Sequence, residues 1–186
     1  RYFCLNIVLV KDQCYHAVIA ANTMPGWVVP EKRTQPKLRD EELRNQIQNT
    51  EVSNGEVGLW WLTQASWLVK FETCTIAIDP WWRDIHAGDV WGKLLGEYPL
   101  KPHDFPVPDY VFCTHWHDDH LCPITIPEIA RTFADTKFIV PSRSVDLLIE
   151  WGIESNRIIP TNGHRTDSVG GLRFKAIPAA HMELDF

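Results

Sequence analysis

Residues 110–120 read Tyr-Val-Phe-Cys-Thr-His-Trp-His-Asp-Asp-His, an apolar run followed by four candidate metal ligands, His115, His117, Asp119 and His120, within six positions. A strand ending at Cys113 or Thr114 leaves the polar part as a loop at a sheet edge, where imidazoles and carboxylates converge without opposing regular backbone geometry. His115 and His117 are two apart and face one side of an extended segment, while Asp119 and His120 lie past a bend and reach a second ion beside the first. Neutral imidazole and carboxylate are donors that borderline divalent ions prefer, so two metals explain this density better than a loop that is merely rich in histidine. Asp118 is expected to face away from the ions.

The surrounding chain supplies a scaffold for such a loop. Two strands, Val57 to Leu62 and Ser66 to Lys70, are joined at Thr63-Gln64-Ala65, and a third runs from Thr75 to Asp79. All are short and rich in aromatic and β-branched residues, which favours buried strands over a helix. Leu43 and Ile47, four apart among charges, predict an amphipathic helix over residues 39–49. After the metal loop the pattern alternates: a helix over 126–134, a strand from Lys137 to Val140, a helix from Ser142 to Trp151 capped by Ser142 and stopped at Gly152, then strands Arg157 to Pro160 and Leu172 to Ile177. Gly170-Gly171 reads as a hairpin turn. Alternation of this kind implies helices packed on a sheet. Residues 81–108, with Gly88, Gly92, Gly96 and four prolines, read as a long loop, and loops of that length are usually functional or mobile.

His-X-His-X-Asp-His after a strand resembles the signature of the metallo-β-lactamase fold hydrolases. Residues 57–80 look like the opening strands of that fold, closing on Asp79-Pro80. The Trp60-Trp61-Leu62 opening, Trp67 and the segment Pro178-Ala179-Ala180-His181 are similar to the branch that contains L-ascorbate-6-phosphate lactonase. The resemblance runs from about Leu38 to Phe186 and implies an α+β architecture, an αββα sandwich of which this chain supplies the N-terminal half to two-thirds. The family continues with a bridging Asp and a last His that would fall beyond Phe186, so residues 38–186 read as a C-terminally incomplete domain. Residues 1–37 read as an arm, irregular over 24–37 with Pro25, Pro30 and Pro36, and Met24 is expected to stand close to the natural start.

By this resemblance His115, His117 and His181 bind a first metal through three imidazoles, leaving a position open for water, and Asp119 and His120 begin a second site. Asp119 has two roles open to it, ligand to the second ion and acceptor orienting the attacking water. His181 follows an apolar strand and supplies the third imidazole that His115 and His117 lack. Asp79, at a strand end, is either an acid that orients the metal loop through hydrogen bonds or a plain turn aspartate. Trp82, Trp116 and His86 are candidates for substrate contact, with His103 and His164 behind them. An aromatic wall and core packing are both open for the tryptophans, as are contact and simple exposure for the histidines.

Composition bounds the function further. The 186 residues, 45% hydrophobic and 23% charged, suit one globular domain, and a net charge of −6 argues against a nucleic-acid partner. No run reaches the roughly eighteen apolar residues that span a bilayer, so no membrane partner is expected. Five cysteines without a Cys-X-X-Cys pair suggest a reducing, cytoplasmic setting, with Cys122 a buried bystander thiol near the second metal. There is no Gly-X-Ser-X-Gly elbow, Walker loop or Gly-X-Gly-X-X-Gly. The expected activity is therefore hydrolysis by metal-activated water, with two divalent ions, zinc first and manganese or iron as alternatives. The expected substrate is a small ester, lactone or phosphoester, a sugar-acid lactone phosphate by preference. A phosphodiesterase acting on lipid or nucleotide and a non-catalytic metal-binding fragment are the competing readings. A homo-oligomer completing the groove is compatible with the sequence, although no residue argues for it specifically.

Overall fold

The computed structural model describes residues 6–9, 35–87, 90–92, 94, 96–162, 166–177, 179–180 and 184–185. In chain order the elements are β1 (Asn6–Leu9), α1 (Asp40–Asn49), β2 (Glu56–Thr63), β3 (Ser66–Lys70), β4 (Thr75–Ile78), β5 (Ile85–Ala87), β6 (Val90–Gly92) and β7 (Tyr110–Phe112). There follow α2 (Thr125–Thr132), β8 (Lys137–Pro141), α3 (Val145–Glu150), β9 (Ile158–Thr161), β10 (Thr166–Val169), β11 (Leu172–Lys175), β12 (Ala179–Ala180) and β13 (Leu184–Asp185).

Seven strands form one mixed sheet in the order β1-β2-β3-β4-β7-β8-β9. β2, β3 and β4 pair antiparallel, whereas β4, β7, β8 and β9 run parallel, with α2 and α3 carrying the chain between the last three. Parallel strands need such crossovers, which cover a face of the sheet.

Both faces of the central strands are apolar, as their unbroken hydrophobic runs require. One face carries Trp60, Leu62, Leu68, Ala77, Val111, Phe138 and Val140 against Leu43 and Ile47 of α1, Ile126 and Ile129 of α2 and Leu148 of α3. The alternate residues Val57, Val69, Ile76, Tyr110 and Ile139 form a second cluster, on which Val169, Leu172 and Phe174 of the β10–β11 hairpin pack. Burying each such side chain contributes about 1.5–3 kcal/mol before chain entropy is charged against it. Helices, sheet and a first piece of a second β layer are thus present, in keeping with the expected α+β architecture.

Two basic side chains from elsewhere in the chain close helix ends. Lys70 Nζ donates to the carbonyls of Ile47, Gln48 and Thr50 at the end of α1, at 2.9, 3.1 and 2.8 Å. Arg157 donates to the Ala130 carbonyl in the last turn of α2 and to the Phe133 and Thr136 carbonyls after it, at 2.9, 2.8 and 3.0 Å. Each satisfies carbonyls that a helix terminus leaves without intrahelical partners.

Several expectations are corrected. Ser142 does not cap a helix: it opens a 3-10 turn over Ser142–Ser144, and its hydroxyl engages the Thr161 carbonyl (2.9 Å) and the Asn162 side chain. The segment 81–108 is not structureless, since β5 pairs with β6 and a 3-10 turn covers Pro102–Asp104. The strand toward His181 ends at Lys175. Asn6–Leu9 adds an edge strand parallel to β2 within the segment read as an arm. Among the described residues no helix is long and apolar enough to cross a membrane.

Candidate metal centre

The ends of β4 and β7 lie side by side, so Asp79 after one and Thr114 after the other face each other across parallel strands. Asp79 leaves the strand at φ 45°, in the left-handed region that an Asp visits at modest cost. Three backbone contacts hold it there. Its N–H donates to Phe112 O (2.9 Å), its carbonyl accepts from the Ser66 hydroxyl (2.7 Å), and the same hydroxyl accepts the Trp81 N–H (3.0 Å).

The side chain that results is buried, 3% exposed, and accepts three hydrogen bonds. Oδ1 takes the Thr114 N–H (2.8 Å), and Oδ2 takes both the Thr114 hydroxyl (2.7 Å) and His120 Nδ1 (2.7 Å). A carboxylate only accepts, so His120 carries its proton on Nδ1 and turns Nε2 away as its lone-pair nitrogen. Burial pulls the His120 pKa down, but the hydrogen bond to Asp79 and the charges of Asp79 and Asp119 outweigh it and leave it raised. His115 goes the other way, lowered by burial and by its neighbours His120 and His117. Asp118 is pushed up by burial and by Asp119.

His115 Nε2 and His117 Nδ1 stand 3.0 Å apart. Nitrogens at this separation share either a proton or an ion; donors roughly 2.0–2.1 Å from one metal are separated from each other by roughly 2.9–3.4 Å. Asp119 Oδ2 is 3.6 Å from His120 Nε2, two electron-pair donors facing one another, which a proton or a cation must reconcile. The separations in both pairs are compatible with a divalent ion between the donors, as they are with a proton. Among the described residues no three of these groups surround a single point. His181, expected as the third imidazole, lies outside the described residues, as does His164.

Of the other candidates, Trp116 is 53% exposed with its ring centroid 4.3 Å from that of His117, so it flanks the donor pair. Trp82 is placed in the core: 6% exposed, it packs edge-on against Phe105 and donates its indole N–H to Glu128 (3.1 Å). What remains accessible of it lines an open cleft of about 490 Å³ with Arg83, Tyr98 and Lys101, and none of the histidine-loop residues lines that cleft. The His86 backbone is in β5, but its side chain lies outside the described residues; His103 is exposed beside Asp104 (3.4 Å). Cys122 is fully buried, and its Sγ accepts the Thr125 N–H at 3.4 Å at the start of α2, which supports the bystander reading.

Sequence reasoning missed Ser66 and Thr114. The only signal for Thr114 was its place immediately before the His-X-His, and for Ser66 a small polar residue at the start of an otherwise apolar strand.

This fold carries a histidine loop at the sheet edge, and a model described as a beta-lactamase superfamily domain matches residues 58–185: the chain belongs to that family. Among individual relatives, probable L-ascorbate-6-phosphate lactonases of Escherichia fergusonii and of Escherichia coli O45:K1 are each 27% identical over 159 residues, covering 74% of this chain and 45% of theirs. The chain thus spans less than half the length of these curated relatives. A solved metallo hydrolase of Ignicoccus hospitalis is 22% identical with a TM-score of 0.46, covering 60% of this chain and 42% of that one. CmlA, a diiron β-hydroxylase of Streptomyces venezuelae, is 18% identical with a TM-score of 0.48, covering 70% and 24%.

Proposed function

We propose that this chain carries the metal-binding part of a metal-dependent hydrolase that acts on a small ester, lactone or phosphoester. A sugar-acid lactone phosphate is the preferred substrate class, supported by the 27% identity to probable L-ascorbate-6-phosphate lactonases. The observation that carries the reading is the pairing of donors: His115 Nε2 with His117 Nδ1 at 3.0 Å, and Asp119 with a His120 whose Nδ1 is tied to Asp79.

His115, His117 and His181 would hold one ion, and Asp119 and His120 a second; zinc fits the donors first, with manganese or iron next. Hydrolysis is the chemistry such ions supply when bound, by lowering the pKa of a coordinated water and polarising the oxygen under attack. The protein's own groups do the rest. Asp79 fixes the His120 ring, so the ring enters the reaction already oriented. Asp119, about half exposed, would accept a proton from the attacking water and return one to the leaving oxygen. Trp116 offers an apolar face beside the donors, suited to one face of a sugar-like ring.

A second reading has a specific observation behind it. The chain spans 45% of the relatives' length, so their activity is not carried over whole, and in this second reading it binds metal as a module that does not turn over. Elemental analysis of the purified chain beside a His115→Ala, His117→Ala variant tests the proposal. At least one equivalent of divalent metal, lost in the variant, is expected, followed by hydrolysis in a panel of lactones and phosphoesters. A wild-type chain that retains no metal after loading and desalting would refute it, and one that binds metal but hydrolyses nothing would select the second reading.

A further inference from the structure

Asp79 reaches His120 directly, but its reach does not stop there. The Thr114 hydroxyl spends its single proton on Asp79 Oδ2, at 2.7 Å. Toward every other neighbour it can then only accept. His115 Nδ1 lies 3.1 Å from that oxygen, so the contact requires the proton to be on His115 Nδ1. Its lone pair is thereby assigned to Nε2, the atom that stands 3.0 Å from His117 Nδ1. His120 Nδ1, 3.2 Å from the same hydroxyl, is already committed to the carboxylate at 2.7 Å. Its link to Thr114 is the weaker of its two.

We infer that Thr114 is a positioning residue that relays the Asp79 carboxylate to His115, so that one buried acid sets the tautomer and ring orientation of a histidine in each donor pair. The inference rests on the metal-centre reading only for its consequence. The tautomer assignment follows from hydrogen-bond bookkeeping within the chain. The chemistry is that of an imidazole whose far nitrogen is tied down: a ring held by Nδ1–H presents Nε2 in one direction, and loss of such a partner typically weakens metal binding about 10–100-fold. A Thr is suited to this role because its hydroxyl donates once and accepts twice, which a carboxylate or an amine in the same place would not do.

Thr114→Val removes the hydroxyl at nearly constant shape, and Thr114→Ser keeps it. Two measurements on the purified protein separate the relay from the metal reading. Long-range ¹H–¹⁵N correlation of the histidine rings reports tautomers without added metal. Titration with Co²⁺ in competition with a chromophoric chelator reports affinity. In Thr114→Val the His115 ring is expected to lose its Nδ1–H preference while His120 keeps its own, with Co²⁺ affinity falling about 10–100-fold; Thr114→Ser should stay within about threefold of wild type. An unchanged His115 tautomer in Thr114→Val would overturn the inference, as would a Thr114→Ser protein that binds as weakly as the Val variant. Wild-type protein that shows the Nδ1–H tautomer at His115 yet takes up no Co²⁺ would support the relay and refute the metal-centre reading.

Discussion

Replacing Asp79 by Asn changes one atom at the hub of the site and leaves the backbone question aside, because Asn tolerates a positive φ about as well as Asp. The amide oxygen can still accept the Thr114 N–H at the position of Oδ1. Its NH₂ group then stands where Oδ2 receives both the Thr114 hydroxyl and His120 Nδ1, so donors face a donor. Two charge-assisted bonds, each contributing about 1.5–3 kcal/mol, are removed from a carboxylate that is 3% exposed. Rotation of the Thr114 hydroxyl and a tautomer change at His120 recover part of this. The expected destabilisation is therefore about 2–4 kcal/mol, a large share of the 5–15 kcal/mol typical of a domain. Urea denaturation followed by tryptophan fluorescence reads this as a lower midpoint at unchanged slope. A change below about 0.5 kcal/mol, within the usual effect of a surface substitution, would show that Asp79 is not the organising acid of this loop.

Three further outcomes test the scaffold and the rim of the site. Arg157→Met removes the guanidinium that lies over the Phe138 ring and strips three carbonyls of their donor, and should cost about 2–4 kcal/mol in the same assay, because hydrogen bonds from a charged group contribute most when partly buried. Gly58→Ala would set its Cβ 2.6 Å from the end of the Trp60 ring, which is 1% exposed and bonded through Nε1 to Gln46, so overpacking of about 1–3 kcal/mol is expected in thermal unfolding. Trp116→Ala should leave the melting temperature nearly unchanged, since the ring is largely solvent-facing, but raise KM for a hydrolysed substrate more than it lowers kcat. A fall in kcat alone would mean that Trp116 serves the chemistry and not substrate binding.

The sheet was legible because its strands are apolar on both faces and short: β3, read as Ser66 to Lys70, has those bounds in the structure. Helix α1 was legible from Leu43 and Ile47, both of which are buried. Ser142 misled because a Ser before an apolar stretch offers a local cap, whereas here a carbonyl nineteen residues away wins its hydroxyl. For Trp82 the sequence left core packing and a substrate wall both open, because position near a loop says nothing about which way a ring points; its indole N–H goes to Glu128, 46 residues on. The candidate donors His115, His117, Asp119 and His120 lie within six positions, so their proximity could be read directly. Their orientation could not, since it depends on Asp79, separated by 35 residues from Thr114 and 41 from His120.

The backbone of Asp79 shows how the site and the fold depend on each other. A non-glycine residue at φ 45° costs roughly 1–3 kcal/mol and persists only where its surroundings hold it. Ser66, buried at the start of β3, supplies that hold by bridging the Asp79 carbonyl and the Trp81 N–H. Without the hydroxyl, both backbone groups lose their partner in a buried place, at about 1–3 kcal/mol each when left unsatisfied. Relaxation of Asp79 toward extended geometry would then swing its carboxylate away from Thr114 and His120. Ser66→Ala and Asp79→Asn should accordingly be coupled: once the carboxylate contacts are gone, releasing the backbone has less left to disrupt. The double variant is expected to be less destabilised than the sum of the singles by about 0.5–3 kcal/mol, the range found for residues sharing one network. Additivity within about 0.5 kcal/mol would mean that the turn at Asp79 and the acid's grip on the loop are independent features.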